Sequence, residues 1–403
     1  MSNNSGKRIL CLSFWTPPVV RPQSILIGKM IPEWMKQGLE PFIVAYEQCG
    51  EWQIDVPIFR IPIFSTNRYF NHISFLREVL KYRYYRKMAK KIEKFAIDNK
   101  VEFIFSFSKP MDSNIIGAML KKRLKLPFVS HFSDPWFDDP YKSLSKSSAK
   151  YIYFQEKFII ENSERVLFTN SVAENLIMKK FPESWKKKAD VIPHNYNLAD
   201  YPEVEKPDSG KFVISYIGAF YKKRNPELLF KALSSVVSKH PELKSKFGVK
   251  LIGAANDYAG YSTESIEKIA DIYSLRNNIE IIPPVSYEES LKYMKLSDCL
   301  VVIDADIPDS PFLPSKVVDY AGSGNVILGI TPANSPTAKF IEDLGCKSFS
   351  YNQFDKLSEY LEKLISGEKK IDINKEVLNK YSVKNTTAKL IEIFQQVINA
   401  KIK

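Results

Sequence analysis

The chain has 403 residues, 44% hydrophobic and 13% aromatic, so it can build two domains with sizeable cores and is not disordered by composition. Its 58 lysines and arginines exceed its 46 aspartates and glutamates, for a net charge of +12, which favours an anionic partner: a nucleotide, a nucleic acid or an acidic lipid surface. No apolar run approaches the ~20 residues that span a bilayer. The N-terminal apolar run fits a strand better than a signal peptide, so we expect a cytoplasmic protein.

Apolar runs alternate with amphipathic stretches through the first half of the chain, which predicts a parallel sheet with helices on both faces. The predicted strands are Arg8–Phe14, Pro41–Tyr46, Val101–Phe107, Pro127–Phe132 and Arg165–Asn170. Helices are predicted near 23–36, 72–98, 112–123, 149–162 and 171–180.

A polar, proline-rich stretch from Pro193 is the best candidate for a linker. The alternation then resumes, with strands predicted at Phe212–Phe220, Gly248–Ala254, Ile279–Pro283, Cys299–Ala305, Val326–Ile330 and Lys347–Tyr351. Helices are predicted near 226–239, 262–274, 287–296, 315–322, 335–344, 352–365 and 383–400.

This organisation predicts an N-terminal domain over 1–200 and a C-terminal domain over 201–382, both doubly wound. The remaining residues, 383–403, are expected to form a C-terminal helix that packs back on the N-terminal domain. Ligands of such sheets bind beyond the carboxyl ends of the strands, so the cleft between two facing domains is the expected site.

The predicted helix over residues 75–98 is basic and amphipathic. Its apolar residues recur every four positions, and Arg83, Lys87, Lys90 and Lys94 form a second stripe. It fits either a domain helix with solvated charges or a contact with an anionic membrane surface.

The four cysteines, Cys11, Cys49, Cys299 and Cys346, include no Cys-x-x-Cys pair. We interpret them as buried free thiols of a reducing compartment. No spacing of His, Cys or Asp supports a metal site, so none is expected.

Residues 217–230 read IGAFYKKRNPELLF, a strand end followed by three cations and the helix start Asn-Pro-Glu. Cations are unfavourable at this end of a helix dipole. Gly218 lets the backbone turn, so Lys223 and Arg224 would stand at a strand's carboxyl edge beside exposed helix amides, where a phosphate binds well. A solvated basic turn is the alternative.

Residues 311–324, PFLPSKVVDYAGSG, repeat the pattern. Ser315 or Pro314 opens a helix, Lys316 is a cation in its first turn, and Asp319 lies one turn after Ser315 on the same face. A lysine and an aspartate so placed could hold a diphosphate and a ribose diol. A surface helix with an ordinary ion pair is the alternative.

No Gly-x-Gly-x-x-Gly follows a strand and no P-loop is present, which argues against NAD enzymes and P-loop kinases. In order, GAFYKKRNPELLFKAL, SDCLVVIDA and PSKVVDYAGSGNVILGI resemble the second domain of family 4 retaining glycosyltransferases (glycosyl transferase group 1), which have the GT-B fold. In the first half, KPMDSNIIGAMLKKRLKLPFVSHFSDPW and VIPHNYNLADY resemble that family's fifth-strand region and the end of its first domain. The resemblance covers nearly the whole chain and implies two doubly wound, Rossmann-like α/β domains facing across a cleft.

The resemblance also implies an activity. Such an enzyme moves a sugar from a nucleotide-sugar donor to a glycan or lipid-linked acceptor, retains the anomeric configuration, and needs neither a metal nor a cofactor. Surface polysaccharide or glycolipid biosynthesis would be its setting. Lipid-linked acceptors would place it peripherally on the inner face of the plasma membrane.

Several residues match family positions. Arg224 stands where the family places a basic diphosphate contact, and Lys316 is similar to another cation near the phosphates. Asp319 stands at the second glutamate of the family's Glu, seven residues, Glu motif, which usually meets the ribose. The first glutamate would fall at Pro311, and Asp306 and Asp309 are the nearby carboxylates that could replace it.

His131 ends the strand PFVSHF, so it should point toward the crevice, and Asp134 follows three residues later. In the family, a His or Asp of this region lies near the transferred sugar or the acceptor. The alternatives are a hydrogen-bonded core histidine and a turn cap.

The expected chemistry is cleavage of a sugar–phosphate bond, with Lys223, Arg224 and Lys316 stabilising the negative charge of the departing diphosphate. Two other functions stay open. A nucleotide-sugar epimerase of the same fold would need no acceptor, and a glycan phosphorylase would need a pyridoxal-phosphate lysine. A nucleic-acid binder would concentrate its basic residues beside exposed aromatics, whereas here they are spread, so no nucleic-acid partner is expected.

Overall fold

The structure is a computed structural model that describes residues 7–19, 21–48, 50, 53–66, 74–207, 210–221, 223–368 and 371–402. The chain divides into two compact units, each described separately here. Unit 1 comprises residues 1–194 and 383–403, and unit 2 comprises residues 195–382. The division therefore falls six residues before the predicted boundary at 200, and the C-terminal helix belongs to unit 1.

Unit 1 is built on a seven-stranded, wholly parallel sheet in the order β3-β2-β1-β4-β5-β6-β7. Its strands are β1 Lys7–Leu12, β2 Leu39–Tyr46, β3 Ile58–Ile61, β4 Phe103–Phe107, β5 Phe128–Phe132, β6 Arg165–Phe168 and β7 Ala189–Val191. The central strands are almost continuously buried, as expected for a parallel sheet covered on both faces.

Helices cover both faces of the unit 1 sheet and bury two separate apolar clusters. On one face, α2, α3, α4 and α5 pack around residues such as Met88, Ile116 and Ile159. On the other, α1 and α14 pack around Trp34 and Phe394. The helices are α1 Pro22–Lys36, α2 Ser74–Asp98, α3 Asp112–Leu124, α4 Lys146–Asn162, α5 Ser171–Met178, α6 Glu183–Lys186 and, at the C-terminus, α14 Val383–Ile402.

Unit 2 repeats the architecture with a six-stranded parallel sheet in the order β10-β9-β8-β11-β12-β13. Its strands are β8 Phe212–Ile217, β9 Phe247–Ile252, β10 Ile279–Ile282, β11 Cys299–Ile303, β12 Val326–Ile330 and β13 Lys347–Phe349. Its helices are α7 Glu227–Lys239, α8 Thr263–Ile272, α9 Tyr287–Leu296, α10 Ser315–Gly322, α11 Pro336–Asp343, α12 Phe354–Ile365 and α13 Lys375–Asn379. Short 3-10 turns lie at Leu198–Asp200, Pro241–Lys246, Asp257–Ala259 and Arg276–Asn278.

The strand order of unit 2 locates its ligand crevice. The chain runs outward through β8, β9 and β10, then returns to the far side of β8 to add β11, β12 and β13. The order therefore reverses between β8 and β11, and doubly wound sheets bind ligands beyond the carboxyl ends of the strands at such a point. The loops that follow Ile217 and Ile303 meet there.

Two parallel, doubly wound α/β sheets confirm the predicted fold class. The sequence interpretation missed the edge strands β3 and β7, because four and three residues carry too little periodicity to register. Cys49 and residues 72–73 of the predicted second helix lie outside the described residues, whereas Cys11, Cys299 and Cys346 are buried free thiols. Across the described part of the chain, no helix is long and apolar enough to cross a membrane.

Gly322, at the end of α10, offers a test of packing in unit 2. A Cβ there would lie 2.7 Å from Cδ2 of Tyr196 and closer still to the Tyr201 hydroxyl. We expect Gly322→Ala to lower the free energy of unfolding by about 1–2 kcal/mol, because overpacking outweighs the gain in helix propensity. Urea unfolding measures this. Gly248→Ala is the control, since nothing lies within 4 Å of its Cβ position, and an equal loss in both variants would contradict the packing argument.

Candidate functional site

A tight turn leads the chain out of β8 at the crevice of unit 2. Gly218 has φ +121°, a conformation that residues with a Cβ rarely adopt, and its N–H donates to the carbonyl of Ile252 at 2.9 Å. Tyr221 and Arg224 then exchange two backbone hydrogen bonds of 2.9 and 2.7 Å. The turn delivers Arg224 to the carboxyl edge just before α7.

Arg224 forms an ion pair with Asp304, the first residue after β11. Its Nη2 lies 3.1 Å from Oδ1 of Asp304, and the two side chains are only 16% and 5% exposed. The guanidinium also lies over the ring of Tyr221, 5.3 Å from its centroid. The Asp304 carboxylate, at the end of the neighbouring strand, partly neutralises Arg224. This explains how a cation can lie at the start of a helix, where the helix dipole disfavours it.

Lys316 reaches the same place from α10. Its Nζ donates to the carbonyl of Ile217, the last residue of β8, at 3.1 Å and lies 4.3 Å from the ring centroid of Tyr216. The Tyr320 hydroxyl fixes α10 against β8, since it accepts from the Ile217 N–H at 2.8 Å. A Cβ on Gly218 would make only an ordinary van der Waals contact of 3.4 Å with the Lys316 ammonium, so the positive φ, and not space, is what favours glycine here.

The electrostatics show that the two cations share one environment. Burial, reinforced by the charge of Arg224 and opposed by that of Asp304, lowers the pKa of Lys316 to about 7. Arg224 and Lys316 therefore repel each other, with one carboxylate available to both. A dianionic group bound beside them would relieve that repulsion and favour the charged ammonium.

The other predicted site residues of unit 2 differ from one another in position and exposure. Ser315 is the first residue of α10, so it accompanies Lys316 at the carboxyl edge. Lys223 is exposed within the turn that precedes Arg224. Asp309 is exposed in the loop between β11 and α10, with φ +53°, and Asp306 is exposed in the same loop.

Asp319 is buried on the inner side of α10. Its carboxylate accepts a hydrogen bond from the Tyr287 hydroxyl at 3.3 Å, and its backbone carbonyl accepts one from Tyr201 at 2.6 Å. The carboxylate helps to raise the pKa of Tyr287, although burial is the larger cause. Asp319 is thus already engaged with a hydroxyl group in the absence of any ligand.

Three groups of this site were not singled out from the sequence: Asp304, Tyr216 and Tyr320. Asp304 directly follows a fully buried strand, so the strand-end rule that selected His131 would also have selected it. Its Oδ2 is buried and, among the described residues, has no hydrogen-bond partner. The two tyrosines carried no comparable signal, because aromatic residues in strand or helix phase are typical of any core.

In unit 1, the structure brings His131 together with several charged groups. His131 is the penultimate residue of β5, is 3% exposed, and packs its ring 5.0 Å from that of Phe107. Asp134 forms an ion pair of 2.9 Å with Lys109. His194 interacts electrostatically with His131, Asp134 and Lys29.

Both histidines of this unit 1 cluster are held neutral. Burial, with a smaller contribution from His194, lowers the pKa of His131 to about 3. Burial likewise lowers the pKa of His194 to about 4, against the opposing charge of Asp134. Their Nδ1 atoms are buried and have no hydrogen-bond partner within the described residues. At neutral pH, each imidazole can therefore exchange hydrogen bonds with a ligand but adds no charge.

The described ranges contain no cluster of three or more His, Cys, Asp or Glu side chains that could hold a metal ion.

One protein-family model matches part of unit 2. Residues 199–305 match the family model "Glycosyl transferases group 1". The match includes β8, Arg224 and Asp304, and it ends before α10 and Lys316. No curated protein sequence shows a significant match.

Solved structures resemble the chain over almost its full length. Sucrose-phosphate synthase from Thermosynechococcus elongatus superposes with a TM-score of 0.70 at 13% identity, covering 98% of this chain and 100% of the other. Anabaena HepE in complex with UDP gives 0.64 at 12%, covering 98% and 99%. The lipopolysaccharide outer core galactosyltransferase WaaB gives 0.63 at 13%, also covering 98% and 99%.

The chain has the GT-B fold. At these identities the similarity establishes the fold, while the group 1 match lies within unit 2. Together they support a GT-B glycosyltransferase. The family match lies in unit 2, which is also the unit in which Arg224 and Lys316 converge.

The lowered pKa of Lys316 predicts how the free energy of unfolding depends on pH. Between about pH 7 and the ordinary lysine value of 10.5, the unfolded state binds more protons at this residue than the folded state, so stability should rise with pH. Lys316→Met removes the penalty. The free energy of unfolding of the variant minus that of wild type should therefore be larger at about pH 7 than at about pH 9.5, by roughly 1–3 kcal/mol.

Urea unfolding at the two pH values measures this difference. Lys292→Met, an exposed position on α9, controls for the loss of one lysine charge. If the change in free energy of unfolding caused by Lys316→Met is the same at both pH values, or varies with pH as much as the change caused by Lys292→Met, the assigned environment of Lys316 is contradicted.

Proposed function

We propose that the protein is a glycosyltransferase that moves a sugar from a nucleotide-sugar donor to an acceptor with retention of configuration. The observation that carries the proposal is the convergence of Arg224 and Lys316 at the switch point of unit 2, with Asp304 as their shared counter-ion. The group 1 match and the GT-B fold support the same activity.

The chemistry follows from charge. Cleavage of the sugar–phosphate bond leaves negative charge on a nucleoside diphosphate, and preorganised cations at that position stabilise the transition state. Arg224 can offer two parallel N–H groups to phosphate oxygens, whereas Lys316 acts as a point charge. Because side chains supply this positive charge, we propose that the reaction is metal-independent.

We propose that the donor is oriented by the surrounding predicted residues. Lys223 and Ser315 are proposed to flank the diphosphate, and Gly218, whose positive φ shapes the turn, is proposed to let the backbone approach it. Asp319 is proposed to meet the ribose, because its carboxylate already accepts a hydroxyl hydrogen bond from Tyr287. Asp309 is proposed to replace the absent first glutamate.

For the sugar and the acceptor, we propose roles in unit 1. His131 is neutral and has a free acceptor or donor at Nδ1, as required to bind a sugar hydroxyl without adding charge. Asp134, next to Lys109, would bind a hydroxyl of the same substrate. The acceptor is proposed to be a glycan or a lipid-linked sugar of a surface polysaccharide or glycolipid.

We further propose that the enzyme works in the cytoplasm and contacts an acidic membrane surface. The supporting feature is α2, which carries eight lysines and arginines against three acidic residues. Such a charge excess attracts anionic lipid headgroups.

The donor can be identified by a thermal-shift panel of nucleoside diphosphates and their sugars, beginning with UDP because HepE was solved with UDP. A ligand at about 100 times its Kd stabilises the native state by ~2.7 kcal/mol. We expect one diphosphate series to raise the unfolding midpoint and the matching nucleoside monophosphate to raise it much less. No shift with any diphosphate would contradict the proposal.

Product analysis with the best-shifting donor completes this test. Transfer to an added acceptor, with release of the diphosphate, supports the glycosyltransferase. Conversion of the donor into another nucleotide sugar without an acceptor would instead identify an epimerase.

Arg224 is predicted to be the most sensitive residue of the site. We expect Arg224→Ala to reduce turnover by roughly 10²–10³-fold, the scale of losing one preorganised donor to a developing charge. Arg276→Ala is the matched control, because Arg276 is a partly exposed arginine of unit 2 that pairs with Glu267. Turnover near wild type in a folded Arg224→Ala protein would remove this residue from the mechanism.

A further inference from the structure

A cavity of about 420 Å³ lies on the helical face of unit 1, among α2, α3 and α4. It is separate from the groups that the proposed reaction uses. Tyr82, Arg86 and Lys90 border it from α2 at intervals of four residues, so they share one side of that helix. The remaining lining residues are Ala89, Met119, Lys122, Arg123, Gln155 and Phe158.

The cavity is strongly cationic. Arg86, Lys90, Lys122 and Arg123 all line it, and the described lining residues include no acidic side chain. Arg123 is partly neutralised by Glu93, whose Oε2 lies 3.0 Å from its Nε. Arg86 and Lys90 are exposed and form no ion pair or hydrogen bond within the described residues. Lys122 is likewise exposed and pairs with no acidic side chain among the described residues, so three cations around this volume have no carboxylate partner there.

The floor of the cavity is apolar beneath its cationic rim. Ala89 is buried, Met119 and Phe158 are partly buried against the core, and the Lys122 ammonium lies 4.9 Å from the Phe158 ring centroid. Two half-exposed aromatic side chains stand nearby: Tyr82 at 50% exposure on the rim, and Phe154 at 52%, next to the lining residue Gln155. Aromatic residues beside lysines and arginines are typical of surfaces that meet a lipid interface.

We propose that this cavity binds the phosphate headgroup of an acidic phospholipid, with Arg86, Lys90 and Lys122 around the phosphate and the rim aromatics at the acyl boundary. The proposal specifies the membrane contact proposed above and rests on it. A bare basic patch would attract any polyanion. The small volume and apolar floor favour one phosphate joined to an apolar body.

The size and shape of the cavity argue against larger occupants. Its volume lies at the lower end of the range for small-molecule sites, about 300–1,000 Å³, so it fits a headgroup and not a folded domain. A nucleic acid would need cations along an extended track with stacking aromatics, whereas these cations surround a single concavity.

Flotation of the full chain with vesicles tests the site, using phosphatidylcholine alone or mixed with phosphatidylglycerol. The cavity variant combines Lys90→Ala and Lys122→Ala. The matched control combines Lys87→Ala and Lys91→Ala, two exposed lysines of α2 that do not line the cavity, so both proteins lose two positive charges. We expect binding of the cavity variant to be at least ~10-fold weaker than that of the control, as expected from losing charge-assisted hydrogen bonds.

Each other outcome has a defined meaning. Equal losses in the two variants would show nonspecific attraction to a basic surface and overturn the site. No flotation of wild type at low salt would overturn the membrane contact itself. Equal flotation of the cavity variant and the control, together with binding of glycerol 3-phosphate to wild type that the cavity variant loses, would make a soluble phosphate ester the ligand and overturn the lipid site. Transfer to a soluble acceptor, measured in parallel, would remain intact in all of these cases if the proposed enzymatic function is correct.

Discussion

The repulsion between Arg224 and Lys316, eased by the carboxylate of Asp304, is the physical constraint on which the proposed site depends. Two like charges are held at the carboxyl edge of one sheet, partly out of water, where such an arrangement disfavours the charged lysine. Unit 2 tolerates this cost beside apolar clusters that bury both faces of its sheet. A strained electrostatic site inside a well-packed domain is typical of positions selected for binding or catalysis.

The rest of unit 2 keeps those charges where they are. The order of its sheet reverses between β8 and β11, so the turns that carry Arg224 and Asp304 emerge side by side. Tyr320 then fastens α10 to the end of β8, which brings Lys316 to the same edge. Gly218 supplies the positive-φ turn beside the ammonium, and Gly322, the last residue of α10, leaves room for Tyr196 and Tyr201. The packing of α10 against β8 thus helps to determine the spacing of the charges.

Much of this arrangement could be predicted from the sequence. Alternating apolar and amphipathic segments indicated two doubly wound sheets, and two cations at helix starts indicated an anion site in the second. The pairing of Arg224 with Asp304 could not be predicted, because it joins residues 80 positions apart whose meeting depends on strand order. The burial of Asp319 was also hidden, since helical spacing shows which residues share a face but not which neighbour covers it. Edge strands as short as β7 leave almost no periodic signal.

The most direct measurement of the central claim is a crystal structure of the protein with a nucleoside diphosphate bound. The account predicts phosphate oxygens within hydrogen-bonding distance of both the Arg224 guanidinium and the Lys316 ammonium, at the carboxyl ends of β8 and β11. A diphosphate bound elsewhere, with both side chains making no contact to it, would contradict the account.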